Sequence, residues 1–376
     1  MTHAPTRRQI LGASLALPFA TALAPTARAL RAATSPGKLL VLGGTRFLGP
    51  AVVDAALERG WEVTLFNRGK SNPHLYPELE KLRGDRDTGD LASLEGREWD
   101  LVVDTSLYLP GHAGDMAAML ADSVGHYVMI STISVYADGT EFSVDESGPV
   151  GTVALEDIEK VTTISDVYRV GGGQFYGPLK ALCEQELEGA MPGRVTSLRP
   201  GVIAGRDDPS DRLPYWVVRA AQGGEILAPE PKQLTAQFTD VRDLGIFSVE
   251  FGAAKTAGIF NAAGFPEPLS MEELLHACAQ EMGAECSFTW ASEEFLLEHK
   301  VRPFAELPFW LPTGAAHEYP MTKGVAAGMQ FRPIAETIRE TAEWFFETRD
   351  ETYKWRWYGM QPERERQLLD LLAAAD

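Results

Sequence analysis

The chain is poor in cysteine and in positive charge. Its 376 residues include three cysteines, Cys183, Cys278 and Cys286, and no Cys-x-x-Cys pair. This excludes a disulfide framework and argues against zinc and thioredoxin-type redox sites. Lysine and arginine total 34 against 53 aspartate and glutamate residues, so the formal net charge is −19. A field of this sign repels phosphates, and we therefore expect no nucleic-acid partner.

Several other patterns are also missing. No pair of the seven histidines has metal-ligand spacing, so we predict no metal site. No Gly-x-Ser-x-Gly motif is present, which argues against a serine hydrolase. Beyond the N-terminus no run of 18 uncharged apolar residues occurs, so we expect no stable membrane insertion. The remaining composition, 45% hydrophobic and 23% charged, is typical of a globular protein of one or two domains.

The first 29 residues have the layout of an export signal. Arg7 and Arg8 stand in a Thr-Arg-Arg-Gln-Ile-Leu string that resembles a twin-arginine signal. An apolar, alanine-rich run from Ile10 to Ala24 follows, and then a small-residue cleavage pattern at Ala27–Ala29. We therefore expect a signal peptide at 1–29, the twin-arginine export machinery as a partner, and a periplasmic or secreted protein. A basic tail without a targeting role is the alternative.

Strands and helices alternate through the first half of the remaining chain. Helical spacing occurs at 50–59, 113–121 and 176–189. Short apolar, β-rich runs occur between these helices, at 38–43, 61–66, 100–104, 126–130 and 195–198. Such alternation predicts an α/β fold of Rossmann type, a doubly wound parallel sheet, over residues 38–205.

The rest of the chain departs from this regular pattern. Residues 137–172 are polar and acidic and predict an insertion loop at the mouth of the site. Residues 206–346 are richer in proline, glycine and tryptophan, which predicts a smaller C-terminal substrate-binding region, interleaved with the Rossmann core. A helix is predicted from 331 to 348, and residues 347–376 form a helical tail with an amphipathic stretch over 362–374.

A glycine-rich turn joins the first predicted strand to the first predicted helix. Glycines permit a tight turn and a close approach of a pyrophosphate, and the helix N-terminus adds N–H donors and a favourable dipole. A tight turn without a ligand is the alternative. The residues predicted to bind a dinucleotide here are Gly43, Gly44, Thr45, Arg46, Phe47, Leu48 and Gly49.

The end of the second strand bears on the choice of dinucleotide. An acidic residue at this position would bond the ribose 2′-hydroxyl and favour NAD. The sequence has Asn67 and Arg68 instead. Arg68, with Arg46 as a second candidate, could pair with a 2′-phosphate. We therefore expect an NAD(P) cofactor, with NADP favoured over NAD.

A tyrosine and a lysine four residues apart complete the candidate chemistry. Tyr176 and Lys180 share one face of a predicted helix, and Ser131 and Thr132 offer hydroxyls at the end of an upstream strand. A free phenol has a pKa of about 10, too high for a base near neutrality. A neighbouring ammonium favours the phenolate. We therefore predict that Lys180 lowers the pKa of Tyr176, which then exchanges a proton with a substrate oxygen.

Taken together, these motifs resemble the extended and atypical short-chain dehydrogenase/reductases, the NAD-dependent epimerase/dehydratase group. The resemblance covers about residues 38–346. It rests on the glycine-rich turn together with six further segments, which are Asp85, Ser131–Tyr136, Tyr176–Lys180, Leu198–Gly201, Gly258–Gly264 and the end of the late helix at Glu343–Phe345.

The resemblance implies roles for individual residues. Tyr176 would be the general acid/base, and Lys180 would also bind the nicotinamide ribose. Thr132 would hold the third catalytic position, with Ser131 as runner-up. Asp85 would bond the adenine. With weaker support, three residues would lie toward the substrate, namely Arg199, Asp211 and Arg212. The family often dimerises through the helix carrying the tyrosine, so a homodimer is a candidate assembly.

Two departures from the family pattern leave alternatives open. Arg46 replaces the middle glycine of the turn, a variant that resembles the atypical branch with the chloroplast stem-loop binding proteins. The gap from Thr132 to Tyr176, 44 residues, is longer than usual. The favoured prediction is an NAD(P)-dependent oxidoreductase or epimerase/dehydratase acting on a sugar-like or other small hydroxyl or carbonyl substrate. The alternatives are a non-catalytic NADP-binding sensor or scaffold and, less favoured, an RNA-binding protein.

Overall fold

A computed structural model describes residues 37–139, 142–170, 173–313, 317–350, 353–355 and 357–375. The export signal predicted at 1–29 lies outside these residues. Within the described part, no helix combines the length and the apolar character needed to cross a membrane.

Seven parallel strands form the central sheet. They are β1 (Lys38–Leu42), β2 (Glu62–Asn67), β3 (Glu80–Arg83), β4 (Trp99–Asp104), β5 (Val124–Ile130), β6 (Val195–Pro200) and β10 (Gly258–Ala262). Their order is β10-β6-β5-β4-β1-β2-β3, and every pair is parallel. The first six strands follow the 3-2-1-4-5-6 order of dinucleotide-binding folds. The predicted Rossmann-type fold is confirmed, although β3 and β10 were not foreseen.

Helices cover both faces of this sheet. Apolar side chains of α1 (Leu48–Glu58) and α7 (Val241–Ala253) pack on one face. Those of α2 (Pro110–Leu120) and α5 (Tyr176–Ala190) pack on the other. Because both faces are covered, the central strands are apolar throughout, and Leu39, Leu40 and Val41 are completely buried.

The segment expected to be an insertion loop is partly helical. It contains α3 (Leu155–Ile158) and α4 (Ile164–Arg169). A capping box starts α4, since the backbone N–H of Thr163 donates to the Asp166 carboxylate at 2.9 Å. Val167 is buried against the start of α2 and against α5. The loop expectation was wrong here because caps and a few buried apolar residues suffice for short helices.

The C-terminal half builds a second core. Two short parallel pairs join β8 (Gly224–Pro229) to β11 (Cys286–Ala291) and β7 (Val202–Ala204) to β9 (Phe238–Asp240). The helices of this half, apart from α7, are α6 (Arg212–Gln222), α8 (Met271–Met282), α9 (Glu293–Glu298), α10 (Thr322–Ala326), α11 (Ile334–Thr348) and α12 (Pro362–Ala375). Large buried rings fill the core between them, among them Tyr215, Trp216, Phe238 and Trp310.

The two cores are interleaved along the chain. After β9 the chain returns to the central sheet to add α7 and β10, and then re-enters the second core at α8. The C-terminal helix α12 packs on the second core through the buried Leu368. Glu365 of this helix also forms an ion pair with Arg219 at 2.7 Å. This arrangement places the second core beside the carboxyl ends of the central strands.

Candidate active site

A cleft of about 630 Å³ lies at the carboxyl ends of the central strands, the usual ligand position in such folds. Thirteen of the residues singled out in the sequence line it together. They are Gly43, Gly44, Thr45, Arg46, Phe47, Leu48, Asn67, Arg68, Asp85, Ser131, Thr132, Tyr176 and Lys180. The cleft therefore joins the predicted dinucleotide loop to the predicted catalytic group.

The glycine-rich turn has the backbone that a pyrophosphate requires. Gly43 and Gly44 have φ angles of 112° and 83°, in the left-handed region that favours glycine. Gly49 lies beneath the turn, where a Cβ atom would approach the Gly44 Cα to 2.7 Å. No described side chain caps the N-terminus of α1. The turn and the helix end thus leave an uncovered cradle that fits a dinucleotide.

Asn67 holds the turn in place from the end of β2. Its Nδ2 donates to the carbonyl of Gly43 at 3.0 Å, and its Oδ1 accepts from the N–H of Gly69 at 2.9 Å and from Arg83. All of these partners belong to the protein. Asn67 therefore positions the loop, and it also lines the cleft.

Arg68 and Asp85 face each other across the outer part of the cleft. Arg68 has a half-exposed side chain, 3.7 Å from the carboxylate of Asp87 and 3.9 Å from that of Asp85. Asp85 caps the short turn that follows β3, accepting from the N–H of Asp87 at 3.2 Å. At these distances the ion pairs are loose, so the Arg68 guanidinium can reach an additional anion.

A buried ionic cluster beneath the cleft was missed by the sequence reasoning. Arg86 pairs with Asp104 at 2.6 Å and donates to the Ser106 hydroxyl at 2.6 Å. Tyr127 donates to the same carboxylate at 2.8 Å. Arg86 directly follows Asp85, and Asp104 ends β4. Their positions at strand ends are the feature from which this cluster could have been predicted. The cluster ties the turn after β3 to the end of β4.

Tyr176 is positioned by the close contact of α5 with the end of β5. Thr132 caps the short turn 133–135, and its Oγ1 accepts from the N–H of Ser134 at 3.1 Å. A Cβ atom on Gly177 would lie only 1.7 Å from the Ser134 carbonyl oxygen. The Ser131 hydroxyl is buried without a hydrogen-bond partner among the described residues. Two hydroxyls at the strand end therefore border the cleft near Tyr176.

Aromatic rings surround the phenol of Tyr176. The rings of Tyr108 and Tyr168 each lie 6.1 Å from it, centroid to centroid. Burial raises the pKa of Tyr176 above its usual value of 10, and the neighbouring phenols add to this, whereas Thr132 and Arg212 oppose it. The phenol is therefore protonated at neutral pH. Sequence reasoning had not identified Tyr108 or Tyr168 as cleft residues.

Lys180 lies in the cleft but binds backbone carbonyls. Its ammonium donates to the carbonyl oxygen of Leu107 at 2.6 Å and to that of Ile130. Burial lowers the pKa of Lys180 to about 8. That Lys180 lowers the pKa of Tyr176 stays a prediction, since burial of the phenol is the largest influence on that pKa in this structure.

Arg199 and Asp211 lie away from the cleft walls. Arg199 is buried, and its guanidinium binds the Glu184 carboxylate at 2.6 and 3.0 Å over the ring of Tyr136. Asp211 accepts from the Tyr353 hydroxyl and lines an adjacent cavity that shares Arg46 with the cleft. Arg199 therefore connects β6 to α5, and Asp211 holds the C-terminal tail.

Arg212, at the start of α6, is also not among the residues that line the cleft. Its Nε donates to the Ser210 hydroxyl at 2.8 Å. Its guanidinium lies over the rings of Phe304 and Tyr358, at 5.8 and 5.3 Å from their centroids.

Across the described part of the chain, no three side chains of His, Cys, Asp or Glu are grouped so as to hold a metal ion.

Comparisons with known proteins agree with this architecture. No protein-family model matches the chain. A curated 2-alkyl-3-oxoalkanoate reductase of Stenotrophomonas maltophilia (strain K279a) is 27% identical over 272 residues, which cover 66% of this chain and 76% of that protein.

Solved structures share the fold at low sequence identity. The Bordetella bronchiseptica enzyme WbmH in complex with NAD+ has a TM-score of 0.60 and 17% identity, covering 84% of this chain and 99% of that one. The UDP-glucose 4-epimerase of Thermus thermophilus in complex with NAD has a TM-score of 0.55 and 19% identity, covering 83% and 100%. The chain therefore has the fold of NAD-binding epimerases.

Proposed function

We propose that the protein is an NAD(P)-dependent oxidoreductase that transfers a hydride at an oxygen-bearing carbon of a small hydroxyl or carbonyl substrate. One observation carries the proposal. A single cleft brings an uncovered dinucleotide cradle together with a phenol, two hydroxyls and a buried ammonium. A cradle alone would serve a sensor, whereas the phenol and its neighbours add the means of proton transfer.

The residues present fit a nicotinamide dinucleotide. The turn from Gly43 to Gly49 and the N-terminus of α1 would hold the pyrophosphate, and Asp85, which lines the same cleft, would bond the adenine. Lys180 would face the nicotinamide half, because it lines the cleft together with Tyr176. When bound, the cofactor supplies or accepts the hydride.

Tyr176 suits proton donation better than proton abstraction. A phenol whose pKa is raised by burial is protonated near neutrality, so it can give its proton to the oxygen of a carbonyl as that carbon is reduced. The Thr132 and Ser131 hydroxyls border the same space and can orient that oxygen. We therefore propose carbonyl reduction as the favoured direction.

The curated relative supports the same direction. Its name describes the reduction of a 3-oxo acid, and it is more similar in sequence than either solved structure described above. The epimerases support the fold only. An epimerase or dehydratase acting on a sugar-like substrate is the second candidate, because such chemistry would use the same phenol and the same cradle.

The proposal is tested with protein lacking residues 1–29. Dinucleotide binding is measured first, and NADPH or NADH oxidation is then followed with 3-oxo acids and other small carbonyl compounds. Tyr176→Phe should bind the dinucleotide normally and lose turnover by about 10²–10⁴-fold. A sensor would bind without turnover in either protein, and salt-dependent retention of RNA would instead support the RNA-binding alternative.

We further propose that the cofactor is NADP. The half-exposed Arg68 guanidinium makes only loose ion pairs, and the exposed Arg46 lines the same cleft. Arg68→Gln should weaken NADPH binding relative to NADH by about 10–100-fold, the worth of a charged hydrogen bond of about 1.5–3 kcal/mol. Arg97→Gln, at an exposed ion pair away from the cleft, is the control. Equal affinities of the wild type for both dinucleotides would contradict the preference.

Export through the twin-arginine pathway remains part of the proposal. It rests on the sequence of residues 1–29. When this segment is fused to a reporter protein, the fusion should be exported. Replacing Arg7 and Arg8 with lysine in the fusion should stop export, and continued export would contradict the assignment.

A further inference from the structure

We propose that Arg86 is a positioning residue for Lys180, because it holds the loop whose backbone carbonyl binds the Lys180 ammonium. This loop is the β4–α2 loop, residues 105–109, which joins β4 to α2. The inference rests on the proposed function, since it gives Arg86 a part in the same cleft. Arg86 acts through the loop and not on the reacting atoms.

The Lys180 ammonium has one donor left for a ligand. An ammonium has three N–H donors. Two of them bind the carbonyl oxygens of Leu107 and Ile130, and no other hydrogen bond of Lys180 is found among the described residues. Because Lys180 lines the cleft, these two carbonyls set the position of its charge and the direction of the remaining donor.

The two carbonyls are supported in different ways. Ile130 ends β5 and is paired with Leu198 of β6, so the central sheet fixes its carbonyl. Leu107 belongs to the β4–α2 loop, outside any strand or helix. Backbone in a loop lacks the hydrogen-bond ladder of a sheet and is more mobile. The position of the Leu107 carbonyl therefore depends on the side chains that bind the loop.

Arg86 and Asp104 supply this support next to Leu107. The Arg86 guanidinium donates to the carbonyl oxygen of Ser106 at 2.7 Å and to the Ser106 hydroxyl at 2.6 Å. The Asp104 carboxylate accepts from the N–H of Ser106 at 2.9 Å. One ion pair thus binds the backbone N–H, the backbone carbonyl and the hydroxyl of the residue that directly precedes Leu107.

The Arg86–Asp104 pair is buried and has little freedom to rearrange. The side chain of Arg86 is 9% exposed, that of Asp104 is completely buried, and the two meet at 2.6 Å. The Tyr127 hydroxyl donates to the same carboxylate at 2.8 Å. Moving either charge away would leave the other buried and uncompensated. The pair is therefore a firm support for the loop.

The β4–α2 loop also carries a ring that borders Tyr176. Tyr108 directly follows Leu107, and its ring centroid lies 5.1 Å from Lys180 Nζ and 6.1 Å from the centroid of the Tyr176 ring. Tyr108 lines the cleft together with Lys180 and Tyr176. A displacement of the loop would therefore change the surroundings of the ammonium and of the phenol together.

The charge state of Lys180 offers a way to detect such a displacement. Burial lowers the pKa of Lys180 to about 8. The titratable and charged neighbours that act on it are Cys183, Asp104, Glu184 and Arg86. A variant that keeps the positive charge of residue 86 leaves this set in place but loosens the loop. Loss of a carbonyl acceptor disfavours the charged amine, so the pKa should fall further.

The test is the Arg86→Lys substitution, which keeps the charge but loses the planar fork that binds Asp104 and Ser106 together. Dinucleotide affinity is titrated between pH 6 and pH 9.5, and kcat for carbonyl reduction is measured at pH 7. The wild-type affinity should fall above pH 8. In Arg86→Lys the fall should begin about one pH unit lower, and kcat should be about 10–100-fold lower.

Arg332→Lys is the matched control. Arg332 also pairs with a buried carboxylate, that of Asp243 at 2.7 Å, but it does not line the cleft. This variant should lower Tm and keep the wild-type pH profile and kcat. Ser106→Ala keeps the Arg86–Asp104 pair and removes one of the groups that Arg86 binds. It should shift the pH profile in the same direction by a smaller amount, and it tests the inference if Arg86→Lys does not fold.

Three results would overturn the inference. The first is a folded Arg86→Lys protein, or Ser106→Ala in its place, with the wild-type pH profile and kcat. The second is an equal loss of kcat in Arg86→Lys and Arg332→Lys with unchanged pH profiles, as expected if the pair only stabilises the fold. The third is a wild-type affinity that does not change with pH, because the Lys180 charge would then not act on the dinucleotide.

Binding and turnover separate this inference from the proposed function. The pH profile of dinucleotide binding is measured without any substrate. A shifted profile in Arg86→Lys, without carbonyl reduction by the wild type, rejects the proposed reaction and keeps the positioning role of Arg86. Carbonyl reduction by the wild type, with an unshifted profile in Arg86→Lys, rejects the positioning role alone.

Discussion

Gly177 allows the helix of Tyr176 to rest directly on the end of β5, and adding one methyl group should separate them. A Cβ atom at this position would lie 1.7 Å from the carbonyl oxygen of Ser134 and 2.5 Å from its carbonyl carbon. Both atoms belong to the backbone, so no side-chain rotation can relieve the clash. The Gly177→Ala substitution must therefore move α5 away from the turn that Thr132 caps.

The size of the effect follows from these distances. A non-bonded carbon and oxygen approach to about 3.3 Å, so the helix start must shift by about 1.5 Å. Overpacking of this kind costs about 1–3 kcal/mol, partly offset by the better helix propensity of alanine, worth up to about 1 kcal/mol. A displacement of about 1 Å at a catalytic group costs about 10²-fold in rate. We therefore expect kcat to fall by about 100-fold with a modest loss of stability.

The assay measures kcat for carbonyl reduction, the dinucleotide Kd and the unfolding temperature of each protein. The dinucleotide Kd should change less than kcat, because the phosphate turn belongs to β1 and α1 and is not displaced. Gly189→Ala is the matched control, since Gly189 lies in the same helix and a Cβ atom there would meet no atom within 4 Å. That variant should keep full activity and equal or greater stability.

Wild-type kcat in Gly177→Ala would refute the reasoning. It would mean that α5 can move without displacing the phenol, or that the phenol does not act in the reaction. A loss of dinucleotide binding as large as the loss of kcat would also contradict it, because the damage would then extend beyond the contact with Ser134.

Three further predictions address the cradle, the ammonium and pH-dependent stability. Gly49→Ala should weaken dinucleotide binding measured by titration, because its Cβ would lie 2.7 Å from Gly44, whereas Gly114→Ala, in open space, should not. Lys180 has a pKa of about 8 and is charged mainly below that pH, so the affinity for the dinucleotide should fall above pH 8. Lys180→Met should bind the dinucleotide weakly at every pH. Constant wild-type affinity up to pH 9.5 would contradict this. Burial lowers the pKa of His126 to about 4. Between pH 6.5 and 4 the unfolded state therefore binds more protons than the folded state. The free energy of unfolding should fall by about 3 kcal/mol as the pH drops through this window. His126→Gln, measured by chemical denaturation at pH 7 and pH 4, should lose correspondingly less, and an equal loss in both proteins would count against the assignment.

The sequence alone determined the features that depend on local spacing. The turn from Gly43 to Gly49 stands between a strand and a helix, as predicted, because glycines and the flanking apolar pattern act within a few residues. Tyr176 and Lys180 are four residues apart in a helix, so they reach the same cleft wherever that helix packs. The alternation of strands and helices likewise specified the sheet that positions both.

Tertiary structure alone decided the electrostatic properties of the site. The pKa of Tyr176 is raised mainly by burial, in a pocket that includes the rings of Tyr108 and Tyr168 from distant segments. Arg199 pairs with Glu184 inside the fold, whereas Arg212 donates to the Ser210 hydroxyl. Desolvation and ion pairing depend on which surfaces meet in space, and that information is absent from the order of residues along a local motif.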